Sequence, residues 1–127
     1  MSRKFYPVLL LSILFFQFPA FSQAFNLLKD INPGNASSSY FNATNINGVL
    51  YFRPDDGIHG DELWKSNGTA AGTVLVKDIN PGPEGGILST LFASNGSVYL
   101  QANDGTHGNE LWKSDGTEAG TIILKDI

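Results

Sequence analysis

The chain has 127 residues, with eight basic and 12 acidic side chains, a formal charge of −4 and no cysteine. The acidic balance, with basic residues scattered rather than clustered, excludes the electrostatic footprint of a nucleic-acid binder. The lack of cysteine excludes a disulfide framework, a thiolate metal site, a thiol nucleophile and a lipid-anchored cysteine.

The first segment, MSRKFYPVLLLSILFFQFPAFSQA, has the pattern of a secretory signal peptide: Arg3 and Lys4 form a basic head, and Val8 to Phe16 form an apolar run. Ala20 and Ser22 suit cleavage before Gln23, and Ser22 and Ala24 suit cleavage before Phe25; the first is preferred. Without residues 1–22 the chain keeps 105 residues, six basic and all 12 acidic, for a formal charge of −6. The apolar run is about half of the roughly 20 residues that cross a bilayer. A secreted chain, extracellular or at the cell surface and not membrane-spanning, is therefore expected.

The remainder of the chain is periodic. Lys29, Lys77 and Lys125 each begin Lys-Asp-Ile at intervals of 48, and His59/His107 and Trp64/Trp112 share that interval. Residues 28–75 align with 76–123 without a gap, at 23 identities in 48 positions. The identities cluster in KDINPG, in Asn-Gly-x-x-Tyr, and in DGIHGDELWKSNGTAAGT with its copy DGTHGNELWKSDGTEAGT. Between Gly34 and Asn47 the copies diverge almost completely.

Each unit contains four strand candidates. Residues 40–46 lead into Asn47-Gly48, a hairpin signal because a type I′ turn needs positive φ at both central positions. Val49 to Arg53 is nearly all apolar, as in a strand covered on both faces. Glu62 to Ser66 alternates, and Thr73 to Ile79 runs until Asn80-Pro81-Gly82 stops it. No segment carries an apolar stripe at helical spacing. Four antiparallel strands in 48 residues match one β-propeller blade. The predicted fold is all-β: two propeller-like blades, residues 32–79 and 80–127, preceded by a lone fourth strand over 23–31. A β-solenoid or an open sheet stack is the alternative.

Glu62-Leu63-Trp64-Lys65-Ser66-Asn67-Gly68-Thr69 and Glu110-Leu111-Trp112-Lys113-Ser114-Asp115-Gly116-Thr117 resemble the ELWxxDGT repeat family. The second copy matches that consensus throughout, and the first departs from it at Asn67. The resemblance covers nearly all of the chain after the leader. It implies a secreted, propeller-type bacterial repeat protein and brings no catalytic residues.

Asp56, His59 and Glu62, echoed by Asp104, His107 and Glu110, are the candidate metal ligands, because oxygen-rich loops can bind calcium. The competing expectation is that Asp-Gly and His-Gly merely build turns. Asn103 and Asn109 stand where the first copy has Asp55 and Asp61, which argues against a fixed ligand set, and no cofactor is expected. Trp64 and Trp112 suit packing better than sugar stacking. Gly68, Gly116, Thr69 and Thr117 are read as structural parts of the motif. Equivalent glutamates of two like blades do not make an acid and base pair for glycoside hydrolysis, so an enzyme is not expected.

The expected role is a binding or structural scaffold, with a carbohydrate-active enzyme or lectin as the alternative. Contacts to an extracellular protein or glycan would fall on the divergent stretch, Asn35 to Ile46 and Pro83 to Ser94. Two blades do not close a ring. Further repeats of a longer chain, or head-to-tail association of copies, are the expected partners.

Overall fold

Short extended runs alternate with tight turns, and in the computed structural model, which describes residues 26–38 and 42–126, the runs pair into two sheets. The first sheet is β1 (Thr44–Ile46), β2 (Val49–Phe52), β3 (Leu63–Ser66) and β4 (Val74–Lys77). The second is β5 (Phe92–Ser94), β6 (Ser97–Asn103), β7 (Asn109–Ser114) and β8 (Ile122–Lys125). Both are antiparallel meanders in sequence order, and no helix occurs among the described residues. The fold is all-β, with one four-stranded sheet per 48-residue unit.

The turns follow from local chemistry. Asn47 and Gly48 have φ of 52° and 85°, and Asn95 and Gly96 have 48° and 74°, the left-handed values that hairpin turns demand. The register sets the faces: Tyr51 lies opposite Lys65, and Phe52 opposite Trp64. Between β3 and β4, Leu63 pairs with Lys77 but Trp64 with Leu75, so Val76 is an extra bulged residue. Leu111/Lys125 and Trp112/Ile123 repeat this irregularity in the second unit.

The core lies between the two sheets. The first unit contributes Tyr51, Leu63, Val76 and Ile79, and the second contributes Val98, Leu100, Ala102 and Trp112; Ile87 and Leu91 of the connecting segment complete it. Each sheet thus has one face pointed along the stack toward the next unit and one pointed back. The middle strand β2, Val-Leu-Tyr-Phe, is apolar on both faces for that reason.

Some boundaries differ from expectation. Residues 26–31, the described part of the predicted lone N-terminal strand, carry no strand pairing. Their counterpart β4 pairs with β3, and among the described residues no strand lies beside 26–31 to act as such a partner. Residues 23–25 and the predicted leader lie outside the described residues, as do positions 40 and 41 of the first predicted strand, which begins at Thr44. β2 stops at Phe52, whereas β6 continues to Asn103. Pro54, with no N–H to give a ladder, stands where the second unit has Ala102.

Residues 26–31 still dock as β4 does. Lys29 Nζ donates to the Thr73 carbonyl at 2.6 Å and lies 5.8 Å from the centre of the Trp64 ring. Lys77 Nζ makes the same contacts one unit on, with Thr121 O at 3.1 Å and Trp112 at 5.9 Å.

Position in the stack decides burial even where sequence is identical. Leu63 is 0% exposed and its equivalent Leu111 is 41% exposed. Leu63→Ala is expected to cost about 2–5 kcal/mol and Leu111→Ala less than about 1 kcal/mol, read from urea unfolding of the dilute chain. Equal losses would contradict this packing.

Candidate functional site

The Asp-Gly-x-His-Gly loops place Asp56, His59, Asp104 and His107. Asp56 Oδ1 accepts from the backbone N–H of Ile58 and His59 at 2.9 and 2.7 Å, and Oδ2 lies 2.6 Å from His59 Nδ1. Asp104 binds Thr106 and His107 in the same way, with His107 Nδ1 at 2.7 Å. Each loop is an Asx turn closed by an Asp–His pair. The paired carboxylate pushes both histidines above their ordinary value. Burial works to raise Asp56, but hydrogen bonds from His59 and Ile58 outweigh it and hold the carboxyl low; those from His107 and Thr106 hold Asp104 low.

Glu62 points elsewhere. It is fully buried, and its two oxygens accept from the backbone N–H of Ile79 at 2.9 Å and of Asn80 at 3.0 Å. Burial raises its pKa to about 7 against the opposing pull of these donors and of Gly86. Glu110 occupies the same position in the second unit and is also buried. The six residues proposed as metal ligands therefore split into two tasks, and among the described residues no group of three or more His, Asp or Glu side chains is placed to hold an ion. Asp55 and Asp61 prove to be cross-strand neighbours, replaced at Asn103 and Asn109 by a hydrogen-bonded pair of amides.

The ELWxxDGT block builds one turn with its own side chains. Asn67 Oδ1 accepts from Thr69 N and Oγ1, Thr69 Oγ1 accepts from Gly72 N, and Thr73 Oγ1 donates to Thr69 O. Ser66 Oγ accepts from Gly68 N and bonds the Thr73 hydroxyl at 2.8 Å. Ser114, Asp115, Gly116, Thr117, Gly120 and Thr121 reproduce every one of these bonds. Asn or Asp serves equally, because only one side-chain oxygen is used. Gly116 is further constrained: at φ of +87°, a Cβ there would collide with the Tyr51 hydroxyl of the preceding unit.

Trp64 and Trp112 are packing residues, 7% and 5% exposed, each with a lysine ammonium over its ring. Neither offers a free face to a sugar. Both indole Nε1 atoms are buried without a partner among the described residues, so the rings contribute area rather than a polar handle.

A cavity of about 310 Å³ opens at the junction of the units, lined by Tyr51, Lys65, Asn67, Val74 and Asp115 among others. Three of its polar side chains are engaged. Lys65 Nζ donates to the Gly116 carbonyl at 2.8 Å, while Asn67 and Asp115 hold their own turns. The divergent stretch is only partly a free loop. The N–H groups of Gly86 and Ile87 donate to Asp61 O at 3.2 and 3.0 Å, Arg53 Nη1 donates to Ile87 O, and Ile87 and Leu91 are buried in the core. Pro83, Glu84, Leu88, Phe92, Ala93 and Ser94 are the exposed remainder of 83–94.

Sequence reasoning assigned no role to Lys29, Lys65 or Lys77, which clamp one unit to the next. Their signal was recurrence at 48 residues, a spacing that local motifs do not reveal. Comparison with protein-family models, with curated proteins and with solved structures finds no match to the chain.

The electrostatics set a pH profile. Glu62 and both histidines bind protons more tightly when folded, so the stability they add is greatest at low pH and falls as pH rises from about 4.5, the ordinary Glu value, through 7 and the elevated histidine range. Asp56 and Asp104 act oppositely, their stabilisation being lost below about 3.8. The thermal midpoint is expected to peak between pH 4 and 5 and to fall toward pH 8. In Glu62→Gln, which keeps one acceptor and loses the titration, the midpoint drops but the fall between pH 4.5 and 7 flattens. A midpoint that rises steadily to pH 8 would refute the assignment.

Proposed function

We propose that the chain is an extracellular repeat scaffold of the ELWxxDGT type, exported by its N-terminal leader, with its two sheets as neighbouring blades of a propeller. The observation that carries this reading is the fate of the repeated polar side chains. Ser66, Asn67, Thr69, Thr73, Asp56 and Glu62 all spend their hydrogen-bonding capacity on the backbone and on one another or the neighbouring His59. Residues that recur are used to build the frame, and residues that differ between copies are the ones left to meet a partner. An extracellular protein or glycan would then contact the exposed part of 83–94, and the faces at the ends of the stack would meet units of the same kind. No catalytic group and no cofactor belong to this reading.

Three measurements test it. N-terminal sequencing of the exported protein should begin at Gln23, and export without cleavage would contradict the leader. Glu84→Ser with Leu88→Ser should change stability by less than about 0.5 kcal/mol, whereas Ser66→Ala, which strips a buried hydroxyl pair, should cost about 1–3 kcal/mol. Hydrolysis of any member of a polysaccharide panel, abolished by Glu110→Gln, would replace the scaffold by the enzyme alternative.

A further inference from the structure

In an Asn-Gly pair the side-chain amide is easily lost, because glycine has no Cβ to keep its backbone nitrogen away from the amide carbon of the asparagine before it. Three such pairs occur, Asn47-Gly48, Asn67-Gly68 and Asn95-Gly96. The reaction needs a backbone N–H free to give up its proton and a side-chain amide free to turn toward it. By sequence the three pairs are equal, but their surroundings in the fold differ.

In the turn after β3 both groups are held. Gly68 N donates to Ser66 Oγ at 3.1 Å, and Asn67 Oδ1 accepts from Thr69 N at 3.1 Å and from Thr69 Oγ1 at 2.7 Å. The β1–β2 hairpin is intermediate: Gly48 N donates to Asn45 Oδ1 at 3.2 Å, while the Asn47 side chain has no hydrogen bond among the described residues. The β5–β6 hairpin has neither restraint. Ala93 stands where the first unit has Asn45, the ladder closes at Ser94 and Ser97, and among the described residues neither Gly96 N nor the Asn95 side chain has a partner. Asn95 and Gly96 are both exposed, and the space beside the Gly96 Cα is open.

We propose that Asn95 is a site of spontaneous deamidation and the first of the three pairs to react. Gly96 N gives its proton to solvent and bonds to Asn95 Cγ; the bond from Cγ to Nδ2 breaks, and the amide nitrogen takes a proton from water and leaves as ammonia. Water then adds to the five-membered imide and opens it at either carbonyl, leaving aspartate or isoaspartate and one further negative charge. Aspartate tolerates the φ of 48° at this position as asparagine does. Isoaspartate inserts a methylene into the backbone of a two-residue turn, whose length sets the hairpin register, and so loosens β5 from β6. β5 is an edge strand, exposed along its whole length and carrying Phe92 at 65% exposure. The modification thus falls beside the stretch that the scaffold reading gives to a partner, and its chemistry does not depend on that reading.

The test is incubation of the mature chain at pH 8, native and in denaturant, followed by peptide mapping with fragmentation that locates each deamidated residue. In denaturant the three pairs should react at similar rates. In the native chain Asn95 should react about threefold faster than Asn47, the worth of one exposed hydrogen bond, and more than about tenfold faster than Asn67, where several must open together. Ala93→Asn gives Gly96 N the acceptor that Gly48 has and should slow Asn95 to the rate of Asn47. Asn45→Ala, at an exposed position of the other hairpin, is the reciprocal probe and should bring Asn47 up to the rate of Asn95. The isoaspartate form, separated by chromatography, should lose amide-exchange protection across β5 and β6, whereas Asn95→Asp keeps it. An Asn95 amide that stays intact, reaction at Asn47 or Asn67 as fast as at Asn95, or rates indifferent to both variants would overturn the proposal; unchanged protection in the isoaspartate form would overturn its effect on β5. None of these results would alter export, cleavage or the lack of hydrolysis, so the scaffold reading fails or stands separately.

Discussion

Glu62 has no contact with solvent, yet it decides how one unit hands the chain to the next. Its carboxyl group gathers the N–H groups of Ile79 and Asn80 just where β4 ends. Those donors would otherwise lose their ladder partners in the protein interior, where an unmade hydrogen bond costs about 1–3 kcal/mol. Once they are held, Ile79 is turned into the core and Asn80 Nδ2 can reach the Gly85 carbonyl, which directs the connecting segment across the junction. The bulge at Val76 serves the same geometry. It leaves Lys77 opposite Leu63 on the forward face, from which its ammonium crosses to Trp112. Register between units is thus fixed by polar contacts at the rim, while the apolar faces between them supply area without direction.

The repeated motif is a set of instructions for the backbone. A Ser two residues before a Gly caps that glycine's N–H, an Asn or Asp closes the turn on a Thr, and that Thr in turn caps Gly72 or Gly120. Such side chains compete for backbone groups by nature, which is why they collect in turns. The same property makes them poor candidates for chemistry, because a carboxylate already holding two N–H groups, or a hydroxyl holding one and bonded to a second side chain, has little left for a ligand. A motif can therefore be specific as a signature and silent about activity.

Legibility in the sequence followed the range of the interactions. Asn47-Gly48 and Asn95-Gly96 were readable because the turn they make is decided within four residues. The apolar runs of β2 and β4 were readable because burial on both faces leaves no polar alternation. The segment 26–31 looked like a strand by likeness to 74–79, but a strand is a relation between two segments, and its pairing partner is missing from the described chain. The metal candidates Asp56, His59 and Glu62 lie close in sequence, yet the turn at Gly60 sends Glu62 into the interior while Asp56 and His59 close on each other. The divergent stretch looked like a free loop because it does not repeat. Part of it is instead held against Asp61, through backbone atoms whose use no side-chain pattern announces.

Burial here belongs to the stack and not to the unit. Leucine at one motif position is fully covered in one copy and well exposed in the other, although the residues around it in sequence are nearly the same. At about 25 cal/mol per Å² of apolar area removed from water, a leucine side chain moving between these two environments changes the balance by roughly 1 kcal/mol or more. A unit that keeps apolar residues on both sheet faces cannot satisfy both alone, so each added neighbour stabilises the one before it. Stability then grows by contacts between nearest units. That dependence gives the segment carrying Lys29 its importance: it sets an ammonium over the Trp64 ring as Lys77 does over Trp112, and Trp64 is only 7% exposed although among the described residues no strand precedes its sheet.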